Sequence, residues 1–109
     1  MEYIHHHKLS PNGTDEFPCF GVHVSFHCVN KEPVPDYICI KVATSCRCMM
    51  LIKLPYTDTI KMQKELLIKT LKKQYPTTVC FYGLRCYAYH FNKNSGFTGY
   101  AKSFEILED

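Results

Sequence analysis

No stretch of the chain approaches the ~18 consecutive apolar residues that a membrane-spanning helix needs, so a helical membrane protein is not expected. Internal repeats and low-complexity tracts are also missing, which sets aside solenoids and repeat arrays. No glycine-rich loop and no cluster of arginines is present, so a phosphate cradle is not written in its usual form. The charge imbalance is small, with 13 Lys+Arg against 10 Asp+Glu and a net charge of +3. Nucleic-acid binding usually appears as a clustered basic face, and neither nucleic acid nor membrane is expected as a partner. The first residues, Met-Glu-Tyr-Ile-His-His-His-Lys, lack the basic segment and the ~7–15-residue apolar core of a secretory signal. A reducing compartment, cytoplasmic or nuclear, is therefore expected.

What is present fits one ordinary domain: 109 residues, 46% of them hydrophobic. A chain of this size buries about two-thirds of its unfolded surface and can form a core without staples. Seven cysteines are the oddity: Cys19, Cys28, Cys39, Cys46, Cys48, Cys80 and Cys86. An odd number leaves one over in any disulfide scheme, and in a reducing compartment all are expected as free thiols.

Residues 1–18 read as an irregular segment, with a turn at Ser10-Pro11-Asn12-Gly13 and a stop at Pro18. His5–His7 read as part of a polar terminus, since three adjacent histidines cannot all face one ion in regular structure. A single domain is expected over 19–109. Residues 20–29 alternate, with Val22, Val24, Phe26 and Cys28 on one face, as a half-buried strand does. Asn30–Pro35 reads as a loop; strands follow at 37–43 and 48–54. Thr57, Asp58 or Thr59 can cap a helix over 59–74 by accepting from a free backbone N–H. Ile60, Leu67, Ile68, Leu71 and Tyr75 form its apolar face, widened by Met62 and Leu66, and Pro76 ends it. Residues 77–91 and 97–107 read as a hairpin about the turn 92–96. The fold class predicted is α+β: a small, mostly antiparallel sheet carrying one amphipathic helix.

The thiols lack paired zinc knuckles. Cys46 and Cys48 form C-x-C, Cys80 and Cys86 have five residues between them, and His90 follows; structural zinc sites favour C-x₂₋₄-C spacing. His23 and His27, about 13 Å apart along a strand, cannot share an ion. No metal ligand and no cofactor are expected.

The segment Cys46–Leu71 reads CRCMMLIKLPYTDTIKMQKELLIKTL. A thiol on the approach to a strand, then Leu-Ile-Lys-Leu-Pro-Tyr, a Thr/Asp turn and a helix carrying Met62 and Leu66-Leu67-Ile68, resembles the C-lobe of HECT-type ubiquitin ligases. Ser103-Phe104-Glu105-Ile106 resembles the ending of such lobes. Arg47 and Met50 stand where that family carries threonine and asparagine. The resemblance implies that Cys48 accepts ubiquitin as a thioester for transfer to a substrate lysine, a covalent nucleophilic step run by the thiolate. It implies ubiquitin and a ubiquitin-conjugating enzyme as partners and Phe104 as a C-terminal anchor, with Cys46 the alternative thiol. Two other readings stand beside it. One is a small non-enzymatic α+β interaction module with an unknown protein partner. The other is a secreted cystine-knot-like factor, because Ile40–Met49 resembles the last strand of neurotrophin-like growth factors.

Overall fold

A computed structural model describes residues 2–107; 108 and 109, the end of the expected domain, lie outside the described residues. The elements are β1 (Glu2–Ile4), α1 (His6–Leu9), β2 (Glu16–Val29), β3 (Glu32–Ala43), β4 (Met49–Pro55), α2 (Asp58–Lys73), β5 (Thr77–Tyr82), β6 (Arg85–Phe91), β7 (Asn94–Tyr100) and β8 (Ser103–Leu107). The protein is α+β. Among the described residues eight strands form one sheet in the order β1-β6-β7-β4-β3-β2-β5-β8. Every pairing is antiparallel except β4 with β7.

That linear order hides a ring. β7 and β8 are one stretch of chain interrupted only at Ala101-Lys102. The first part pairs with β4, and the second with β5. At the joint, the Ala101 N–H donates to the Lys53 carbonyl at 3.0 Å and the Lys102 N–H to the Tyr82 carbonyl at 2.9 Å. β2 makes a similar switch: Glu16–Cys19 pair with β5, and Cys19–Val29 with β3, across a register shift between Cys19 and Gly21. The pairings β2–β3–β4–β7/β8–β5–β2 therefore return to their start.

The ring encloses the core. Alternation along β3 and β4 turns Ile38, Ile40, Val42, Met50, Ile52 and Leu54 inward, where they meet Phe17, Val79, Phe81 and Phe104. Ile60 and Leu67 of α2 join the same cluster. Burying a leucine of this kind stabilises by about 1.5–3 kcal/mol. Thr57 is the α2 cap, its Oγ1 accepting from the Ile60 N–H at 3.2 Å. The Gln63 amide ties the helix to β8 by donating to the Phe104 carbonyl at 3.0 Å.

Four expectations change. Within 2–18 only the stretch about the Ser10–Gly13 turn is irregular: β1 adds to β6, Leu9 enters the core, and Ser10 Oγ, also buried, donates to the Glu16 carbonyl at 2.8 Å. A second, four-residue helix, α1, stands there as well. Asn30–Pro35 is mostly strand. Pro33 and Pro35 are two apart, so both missing N–H groups fall on one side of β3, and β4 covers β3 only from Tyr37. Met62, Leu66 and Tyr75 face solvent, because α2 meets the ring along the narrower line of Ile60, Leu67 and Thr70. Finally, 77–91 is two strands. Gly83, at φ +66°, permits a left-handed reversal, after which β5 pairs with β8 while β6 turns back on β7.

Candidate functional site

The outer face of the ring carries one side chain from each of five adjacent strands, in a row. Tyr3 of β1 stands opposite Tyr87 of β6, with ring centroids 5.8 Å apart. Tyr87 meets Tyr100 of β7 at 6.2 Å, and Tyr100 meets Tyr37 of β3 at 6.4 Å. The interplanar angles are 72°, 69° and 72°. Lys53 of β4, directly opposite Tyr100, places its ammonium 5.6 Å from the centroids of both Tyr37 and Tyr100. Edge-to-face rings favour one another through their quadrupoles, and a cation over two faces adds to that. The row is therefore a preformed platform. Tyr37, Tyr87, Tyr100 and Lys53 are half-buried and Tyr3 is exposed.

Period-2 alternation extends this face along each strand. β6 adds Arg85, Tyr89 and Phe91, all exposed. β3 adds exposed Lys41, opposite Leu51 of β4. Tyr89 lies across Gly96 of β7: a Cβ built on that glycine would stand 2.7 Å from the tyrosine hydroxyl. A side chain there would lift the ring.

The expected thiol occupies the far end of the same face. Cys46 and Cys48 lie in the 44–48 turn between β3 and β4, with Arg47 at φ +60°. Thr44 organises this turn. Its N–H and Oγ1 both donate to the Cys48 carbonyl, at 2.9 and 3.0 Å, and Oγ1 stands 3.2 Å from Cys48 Sγ. Cys46 is exposed and Cys48 half-buried. Both border a cavity of about 850 Å³ whose other walls include Glu2, Tyr89, His90 and Gly96. Met49, on its rim, shares the outer face of β4 with Lys53, about 13 Å further along the strand.

Phe104, expected as a C-terminal anchor, is 2% exposed and packs on Phe81 with centroids 6.4 Å apart, so its ring is a core element. All seven cysteines are free thiols. Burial pushes the Cys19 thiol up to about 11 and does the same for Cys86. Sequence reasoning missed the tyrosine row, because its members come from five separate strands and no local spacing links them. It also missed His6 and His7 converging on Asp15, whose side chain receives both rings from the other end of the Ser10–Gly13 turn.

No family model matches the chain, and neither does any curated protein or solved structure. Among the described residues no helix is long and apolar enough to cross a membrane.

Proposed function

We propose that the protein binds single-stranded nucleic acid across the tyrosine row, with bases against the rings and phosphates drawn by Lys53, Lys41 and Arg85. The observation that carries this reading is the unbroken outer-face row Tyr3–Tyr87–Tyr100–Lys53–Tyr37. Single strands are held by aromatic platforms beside positive charge, because every base has a π-face and every nucleotide a phosphate. The ring supports the same reading. A five-stranded Greek-key barrel whose outer face carries the ligand is the plan of the oligonucleotide-binding OB-fold, and the pairing order β2–β3–β4–β7/β8–β5 resembles it.

The chain has no tryptophan, so its intrinsic fluorescence comes from eight tyrosines. Titration with a short oligothymidylate should quench that emission saturably, and more weakly as salt rises. Tyr100→Ala should lower affinity about fivefold to a hundredfold, the equivalent of ~1–3 kcal/mol per lost stacking contact. A Met62→Ala control, at an exposed α2 position outside the row, should leave affinity unchanged. Equal affinity for wild type and Tyr100→Ala would sink the reading.

A second reading keeps Cys48 as an acceptor thiol of the HECT type, and it rests on the half-exposed thiol at the cavity rim. The thiolate attacks the C-terminal carbonyl of ubiquitin, and the thiol of the conjugating enzyme leaves. With a ubiquitin-loaded conjugating enzyme and an N-lobe supplied, a reductant-sensitive adduct should form on wild type and on Cys46→Ser but not as a thioester on Cys48→Ser. No adduct on any of the three leaves the protein a binding module.

A further inference from the structure

We propose that His6, His7 and Asp15 form a binding site for a first-row divalent metal ion of the zinc class, which fastens α1 to the segment entering β2. They are the one cluster of three or more metal-ligating side chains found among the described residues, with all three ligand atoms within 4.8 Å of one another. His6 Nε2 hydrogen-bonds Asp15 Oδ1, and His7 Nε2 reaches the same oxygen at 2.8 Å. Zinc bonds of about 2.0–2.2 Å in a tetrahedron place ligand atoms roughly 3.3 Å apart. Two imidazoles and a carboxylate oxygen that already converge need only small side-chain rotations to admit an ion. Two nitrogens and one oxygen form a donor set suited to zinc, and water fills the fourth position.

The ligands stand on anchored backbone. α1 is held to the 44–48 turn: the Ser45 N–H donates to the Leu9 carbonyl, and the Ser45 hydroxyl to the Lys8 carbonyl, both at 2.7 Å. Asp15 is held to the ring, its carbonyl accepting from the Phe81 N–H at 3.1 Å. The His5 ring stacks on His6 with centroids 4.7 Å apart and planes 17° from parallel, which fixes the orientation of the His6 imidazole. Both rings already reach the one Asp15 oxygen, and His6 Nδ1 is buried with no hydrogen-bond partner. An ion spreads the three ligand atoms around itself. Adjacent histidines ordinarily diverge; here the four-residue α1 turns His6 and His7 toward one carboxylate.

The test uses the full chain with Cys46 and Cys48 changed to serine, so that thiolates do not compete for metal. Calorimetric titration with zinc chloride should give one site per chain. Cobalt(II) should give the visible absorption of a four-coordinate ion. His6→Gln, His7→Gln and Asp15→Asn should each weaken zinc at least tenfold, and His5→Gln should not. In parallel, zinc added to the same background should shift the NMR signals of the His6 and His7 rings and of the Phe81 amide, while those of His23, His27 and His90 stay. The NMR result does not depend on any of these ligand variants folding. An affinity that ignores Asp15→Asn, or falls as much with His5→Gln, marks adventitious chelation by a histidine tract and overturns the proposal. Absence of saturable binding does the same.

Discussion

The Lys53 ammonium lies 5.6 Å from the ring centroid of Tyr37 and 5.6 Å from that of Tyr100, so one charge from β4 bridges aromatic rings on the strands at either side of it. Lys53→Met keeps the aliphatic stem and removes the charge. Its expected effect is weaker oligothymidylate binding and a salt-dependence slope reduced by about one phosphate contact. Lys53→Arg should retain both. The measurement is affinity across a salt series, and an unchanged slope in Lys53→Met would separate Lys53 from the ligand.

Thiol reactivity should follow the fold. With iodoacetamide at pH 8, Cys28 and Cys46, the two exposed thiols, should be modified first and Cys48, one of the two half-buried ones, more slowly. Cys19 and Cys86 should be spared in the folded protein. Both are enclosed, and burial holds each thiol at about 11, so little thiolate is present to react. Peptide mapping against time reads this order. Cys19 reacting as fast as Cys46 would mean that the ring opens readily in solution.

Phe104 and Phe91 test which aromatic residues hold the fold. Phe104 is 2% exposed within the core, and Phe104→Ala should cost about 3–5 kcal/mol in a denaturant titration. Phe91, at the end of β6, is 73% exposed, and Phe91→Ala should change stability by no more than about 0.5 kcal/mol. A mild Phe104→Ala would contradict the burial of its ring against Phe81.

Tyr82 gives the fold an alkaline signature. Its hydroxyl donates to Glu105 Oε2 at 2.5 Å across the β5–β8 pair, and that bond pushes the phenol up to about 12. The neutral phenol is the form that folding favours. The stabilisation is therefore fully present below the ordinary tyrosine value of 10 and is lost as pH rises through about 12. Absorbance titration of tyrosinate should show one late-ionising residue, which moves to lower pH in Glu105→Gln. No such movement would remove the bond.

Much of the scaffold was legible in local pattern. The 37–43 and 48–54 strands, the Thr57 cap and a helix within one residue of Asp58–Lys73 all follow from alternation, β-branched content and capping chemistry. The pairing of β2 with β5 was not legible, because Glu16 and Cys80 meet only through the third dimension. Residues 6–15 were misread for a related reason: Leu9 is a lone apolar residue without periodicity, and its burial depends on the ring above it. The Cys46-x-Cys48 spacing singles out the two thiols, but nothing in it places them in the 44–48 turn. The tyrosine row was not legible, since Tyr3, Tyr37, Tyr87 and Tyr100 acquire a common face only when β1, β3, β6 and β7 are aligned.

The joint at Ala101-Lys102 also orders the events of synthesis. β2, β3 and β4 follow one another in sequence and pair as a meander without any later strand. The ring cannot shut until residues 94–107 arrive, because that stretch alone reaches both β4 and β5. Before then β4 and β5 each present a row of unpaired N–H and C=O groups, the kind of edge on which other chains nucleate. A nascent chain stalled ahead of Asn94 is thus a template for aggregation rather than a loosened version of the finished protein, and the final strand acts as its gatekeeper.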